Sequence, residues 1–254
     1  MTQMEFFGCT FIAFGLPCSL FIFTIAKDPL RIIVLMASAF FWLISLLLSS
    51  ILWFAVVPLR DHLAFGLVFS VVFQEMFRFL FYLMIKKADE GLKKVSQQEG
   101  MVSGVQLVAN RHLMSYVAGL GYGIIAGAFS LINVLADSTG PGTMGINGNS
   151  SLFFITSAFL TLCFILLHTA WSIIFFNGIE KRKYYQPALV VCMHMLVSCL
   201  TLLNQGINPV YVASLVTAYI VLAISFVLAF VIAGGSFQGL KAFCLNKPVT
   251  YTFN

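Results

Sequence analysis

Seven long apolar runs divide this chain, at residues 4–26, 32–57, 62–85, 112–136, 152–176, 185–203 and 211–233. Each approaches the roughly 20 residues that the hydrocarbon core of a bilayer demands of a spanning helix. The expected fold class is therefore all-α: a polytopic membrane protein with seven transmembrane helices. Sixty per cent of the residues are hydrophobic and only 9% are charged, against about a quarter in soluble domains, so a soluble fold is excluded. No connection is long enough to form a second unit, and residues 1–254 are expected to be one membrane domain embedded in the lipid bilayer.

Basic residues orient the chain. Of the 14 lysines and arginines, Arg60 alone falls in the connections on one side and Arg78 lies inside the third run. All the others, from Lys27 to Lys247, collect on the opposite side. By the positive-inside rule that side is cytosolic, placing the amino terminus in the lumen or outside and the carboxyl terminus in the cytosol. The net charge of +5 is thus topology and implies no nucleic-acid partner. The first run is expected to stay attached as a helix: it lacks a basic leader, carries Glu5, and is followed rather than preceded by positive charge. Cys9, Cys18, Cys163, Cys192 and Cys199 lie in the runs and Cys244 in the tail, which is no disulfide framework.

Inside the fourth run, Gly119, Gly123 and Gly127 recur every four residues in YVAGLGYGIIAGAFSLIN. Glycine within a helix costs about 1 kcal/mol against alanine in water. At this spacing the three share one helix face, where missing side chains let another backbone approach closely. The same spacing serves a helix of this chain or one from outside; we expect the face to receive a partner helix.

Polar residues within lipid are costly unless they face protein or water. Glu75 and Arg78 lie three residues apart on one face of the third run, and His168 and His194 sit in the fifth and sixth. From the helical rise, Arg78, His168 and His194 fall at about 12, 14 and 11 Å from the cytosolic edge, so the four are expected to form one layer. Three roles remain open for it: an interhelical hydrogen-bond network, a partner-docking or water-lined cavity, or a metal or proton-relay site. No HExxH motif supports the last. Asp28, Asp61, Asp89 and Asp137 all lie at or beyond run ends, so no pair of intramembrane aspartates exists for aspartyl chemistry. The stretch KKADEGLKKVSQQEG from Lys86 reads as a solvated linker, and 137–151 as a chain of tight turns carrying a possible glycosylation site at Asn149.

Several stretches together resemble a known family. They are FFGCTFIAFG from Phe6, DPLR from Asp28, AFFWLISLL from Ala39, QEMFRF from Gln74, KKADEGL from Lys86, SAFLTLCFILLH before Trp171, AFVIAGGS near the end and, above all, the block from Tyr116 to Ile146. The chain is similar over all seven runs to the anterior-pharynx-defective family, the seven-helix scaffold subunit of γ-secretase. The resemblance implies a non-catalytic subunit without cofactor or metal. It implies nicastrin, presenilin and the presenilin enhancer subunit as partners, in an assembly that cleaves single-span proteins such as Notch and the amyloid precursor. It also implies residence from the endoplasmic reticulum and Golgi to the plasma membrane and endosomes. By position, Gly119, Gly123 and Gly127 match the family's assembly glycines, and His168 and His194 its paired histidines.

The chain departs from the family in places. Leu16 stands between the first run's Phe-Gly and Pro17, the connection at 58–64 is short, and Asn147-Gly148-Asn149 replaces a common His-Gly-Asp. Two other classes share the topology. A seven-helix receptor would carry Asp-Arg-Tyr after its third helix, which is absent here, and Asn208-Pro209-Val210-Tyr211 opens the seventh helix on the lumenal side instead of closing it on the cytosolic side. A transporter or channel would line its pathway with Glu75, Arg78, His168 and His194.

Overall fold

The computed structural model describes residues 3–59, 62–98, 111–139, 152–205 and 211–236. Seven helices run through them: α1 (Gln3–Thr24), α2 (Pro29–Ala55), α3 (Leu63–Gln98), α4 (Arg111–Thr139), α5 (Phe153–Glu180), α6 (Tyr185–Thr201) and α7 (Tyr211–Ile232). Short 3-10 turns follow α2 at Val57–Leu59 and α6 at Leu202–Gln205. All seven are long and apolar enough to cross a membrane, as the sequence predicts, and there is no strand among the described residues. The sequon at Asn149, Arg60, residues 208–210 and the basic tail with Cys244 lie outside the described residues.

The helices are arranged around α5, which packs against α1, α3, α4, α6 and α7. In its most apolar stretch 72% of residues are buried, against 17% in α1, so α5 is the axis and α1 the periphery. The most extensive pairing is α4 with α5; α2 covers the opposite side of α4 and reaches α3. In lipid there is no hydrophobic drive between helices, and close van der Waals packing with interhelical hydrogen bonds must substitute. Small residues on α5 allow that closeness: Ala158, Thr161, Cys163, Ala170, Ser172 and Gly178 are all buried. The five cysteines in the runs are free thiols; Cys9 and Cys163 pack inside, while Cys18 and Cys192 face outward.

Helix ends follow local chemistry. At the α1–α2 corner the Leu30 amide donates to Asp28 Oδ1 at 3.0 Å, making Asp28 the cap, and Pro29 occupies the first turn where no amide partner is needed. Arg31 Nη1 reaches back to the Thr24 carbonyl at 2.6 Å, and its Nε lies 3.0 Å from Asp28 Oδ2, so one Asp-Pro-Leu-Arg motif closes α1 and opens α2. Asp28→Ala is expected to cost about 1 kcal/mol and Asp28→Asn much less, read as thermal unfolding of the detergent-purified chain. At the far end α7 stops where expected: Gly234 takes φ +90° and the Gly235 amide donates to the Phe230 carbonyl at 2.9 Å. α1 runs unbroken through Pro17.

Two boundaries differ from expectation. Residues 86–98, expected as a solvated linker, continue α3 as helix. Lys, Ala, Glu, Leu and Gln are strong helix formers whatever their charge. Ile85 and Asp89 are also buried, at 9% and 6% exposure, so the extension packs rather than floats. Likewise α4 runs on to Thr139, and residues 137–139 of the expected turn chain are its last turn.

Candidate functional site

The four polar residues singled out in the sequence meet at one point. α3 presents Glu75 and Arg78 one turn apart, and Arg78 donates from Nε to Glu75 Oε2 at 3.0 Å and from Nη2 to Oε1 at 3.2 Å. The His194 Nδ1, from α6, lies 2.7 Å from Glu75 Oε1. Arg78 Nη2 also donates to His168 Nδ1 at 2.8 Å, and its Nη1 donates to the His168 carbonyl at 3.2 Å and to the Ser172 hydroxyl, both on α5. The imidazoles stand edge to face with centroids 5.0 Å apart. Arg78 is 1% exposed and both histidines 2%.

The donors fix the tautomers. A guanidinium has no acceptor, so His168 must accept at Nδ1 and carry its proton on Nε2. A carboxylate facing a guanidinium has no donor, so His194 must donate from Nδ1. Arg78 thereby neutralises Glu75, fills the position between Glu75 and His168, and donates to five acceptor atoms. The arrangement is an interhelical network joining α3, α5 and α6.

Sequence reasoning missed the network's outer members. The Tyr122 ring of α4 lies 4.7 Å from the Arg78 guanidinium carbon, and its hydroxyl donates to the Gln74 carbonyl. Trp42 of α2 donates from Nε1 to Gln74 Oε1 at 3.1 Å. Trp171 of α5 stacks on His194 with centroids 4.8 Å apart and donates to Ser225 of α7 at 3.1 Å. Six helices, α2 to α7, thus share one polar core. Spacing offered a signal for some: Ser172 is one turn from His168, and Gln74 adjoins Glu75.

The glycine stripe is filled from within the chain. A methyl group on Gly119 would meet Thr169 Cα and O at 2.8 Å, and one on Gly123 would meet the Ile165 carbonyl oxygen at 2.5 Å. Both contacts are with α5 backbone, so α4 and α5 touch main chain to main chain along this face. At Gly127 the neighbour is the Ile165 side chain, at 2.6 Å. The expectation that this face receives a partner helix is therefore corrected: α5 already occupies it, because identical spacing suits an internal neighbour. A fourth glycine, Gly121, lies off the stripe and faces α2, where a methyl would fall 2.4 Å from the Leu35 carbonyl oxygen. α4 is pinched on two opposite sides. The seam also positions the polar core, since the carbonyl of His168 is 2.9 Å from the methyl position on Gly119 and accepts from Arg78.

The family model for Aph-1 protein matches residues 4–236. Among curated relatives, the γ-secretase subunit Aph-1 of Drosophila melanogaster is 51% identical over 243 residues, covering 96% of this chain and 98% of the relative. The γ-secretase subunit Aph-1b of Danio rerio is 49% identical over 255 residues, covering 97% and 95%. The γ-secretase subunit aph-1 of Caenorhabditis elegans is 32% identical over 250 residues, covering 90% and 80%. With the family match running from the first helix through the last, and half of all residues shared across nearly full length with the insect and fish proteins, this chain belongs to the Aph-1 family.

Proposed function

We propose that this chain is a non-catalytic scaffold subunit of a γ-secretase complex, holding nicastrin, presenilin and the presenilin enhancer subunit together in the membrane. The observation that carries this is the 51% identity to a protein named as a γ-secretase subunit, over 98% of that protein's length. The polar core supports it. It contains a single carboxylate, Glu75, whose oxygens are engaged by Arg78 and His194, leaving no second acid to share a proton as aspartyl chemistry requires. The same closure disfavours the transporter alternative, because a transport pathway needs ionisable groups open to water.

With the glycine seam and the polar core filled internally, contacts with other subunits fall to outward faces. Phe7, Phe11 and Phe23 project from α1, and Val212, Val216 and Ile220 form an exposed stripe over about two turns of α7. Gly119, Gly123, Gly127, His168 and His194 then act on assembly indirectly, by fixing where α4, α5 and α6 stand. The amino terminus lies outside the cytosol and the carboxyl terminus within it. The test is recovery from native membranes in mild detergent. Nicastrin and presenilin are expected to accompany the chain, and His168→Ala with His194→Ala to reduce presenilin retention more than either change alone. Recovery of the wild-type chain as a solitary monomer overturns the proposal.

A further inference from the structure

Away from the polar core, the ends of α3, α4 and α5 enclose a cavity of about 330 Å³. Its floor is apolar and aromatic, with Ile85, Met114, Phe176 and Tyr82 all buried. Its walls carry both signs of charge: Lys86, Arg111 and Lys181 against Asp89, Glu90 and Glu180. Glu180 is already committed, accepting from the Tyr82 hydroxyl at 2.5 Å and from Arg111 Nη1 at 2.5 Å. Those two bonds tie α3 and α4 to α5 and set the back wall. Lys86, Glu90 and Lys181 also line the cavity, and all three are exposed.

The cavity's level in the bilayer says what can reach it. Lys86 follows the apolar run of α3, Arg111 precedes that of α4, and Lys181 follows α5. All three mark the plane where hydrocarbon gives way to headgroups. Basic pockets between helix ends at this level attract polyanionic headgroups. Here three acids balance three bases, so a polyanion meets like charge. A zwitterion does not. Carboxylates suit an ammonium with N–H donors better than a quaternary one, which is held instead by aromatic cages.

We infer that this cavity seats a phosphoethanolamine headgroup, its phosphate against Lys86 and Lys181 and its ammonium against Glu90, with phosphatidylethanolamine of the adjoining leaflet as the source. The apolar floor takes the first carbons of the lipid. No step of this depends on the assembly proposed above.

The experiment uses the full chain in nanodiscs doped with photoactivatable phosphatidylethanolamine, phosphatidylcholine or phosphatidylserine, with labelled peptides identified by mass spectrometry. Labelling of α7 peptides in the same sample supplies the lipid-contact baseline. Phosphatidylethanolamine is expected to label peptides spanning 82–90, 111–115 and 176–181 in preference to the other two lipids. Lys86→Gln with Lys181→Gln should reduce that labelling about fivefold per cation removed. Both lysines are exposed, so the fold is not at stake. Glu90→Gln should lower the phosphatidylethanolamine signal and leave that of phosphatidylcholine alone. Equal labelling by all three lipids overturns the assignment, as does undiminished labelling of the double variant. Water-soluble glycerophosphoethanolamine distinguishes the source: failure to compete supports the lipid, whereas suppression equal to that by unlabelled phosphatidylethanolamine overturns it in favour of a free phosphodiester.

Discussion

Gly123→Ala is expected to destabilise the isolated chain by about 2 kcal/mol, seen as a lower unfolding temperature in detergent with no partner present. One methyl group has this effect because of what it meets. The nearest atoms are the Ile165 carbonyl oxygen at 2.5 Å and Cα at 3.0 Å, and a helix backbone cannot rotate aside as a side chain can. α4 and α5 must separate, along the most extensive helix pairing among the described residues. Gly119→Ala should behave alike, facing Thr169 Cα and O at 2.8 Å. Gly127→Ala should cost less, because the Ile165 side chain can change rotamer. Gly91→Ala in α3 is the control: a methyl there meets nothing within 4 Å, so only helix propensity acts, and stability should rise by up to about 1 kcal/mol. If instead the stripe were a seam for an outside helix, Gly123→Ala would leave the isolated chain unchanged and harm only the complex. An unaltered unfolding temperature would thus refute the internal seam.

That distinction marks where sequence stops being informative. Spacing every four residues identifies one face of one helix and the demand for close approach, and Gly119, Gly123 and Gly127 meet that demand. Spacing carries no information on which helix arrives, because a backbone at contact distance selects glycine whether or not it belongs to the same chain. Gly121 was hidden for a related reason: inside a dense glycine run it looked like composition, yet it alone faces α2. For the polar core, depth estimates from helical rise were enough to bring Glu75, Arg78, His168 and His194 together. Tyr122, Trp42 and Trp171 were not legible because aromatic residues are common throughout such runs, and only geometry separates a hydroxyl or indole bonded inward from one facing lipid. The α3 extension failed on a different balance. Charge was read as solvation, whereas local propensity and the inward packing of Ile85 and Asp89 decide the backbone. Deep spans were the easiest to place, since their length and apolarity follow from the bilayer itself.

The polar core gives the second large effect, and its form is non-additive. Arg78→Met removes every donor to Glu75 except His194 and leaves the His168 nitrogen, the His168 carbonyl and the Ser172 hydroxyl without the guanidinium that serves them. Breaking one side of a buried ion pair typically costs about 3–5 kcal/mol, because the surviving charge has neither water nor partner. Glu75→Leu should cost a similar amount by stranding Arg78, which is only 1% exposed. The double variant removes both charges at once. Its loss should fall short of the sum of the two single losses by about 2 kcal/mol, within the range found for directly paired residues. It should not return to wild type, since His168 and His194 keep polar nitrogens that have lost their partners, each worth about 1–3 kcal/mol when buried and unsatisfied. A further change of the histidines to apolar residues should recover part of that remainder. Unfolding free energies measured in mixed micelles for the four corners of the cycle decide the matter. Strictly additive losses would mean that Glu75 and Arg78 do not act as a pair, and the cluster would then be a row of independent polar contacts rather than the bolt through α3, α5 and α6 that its distances describe.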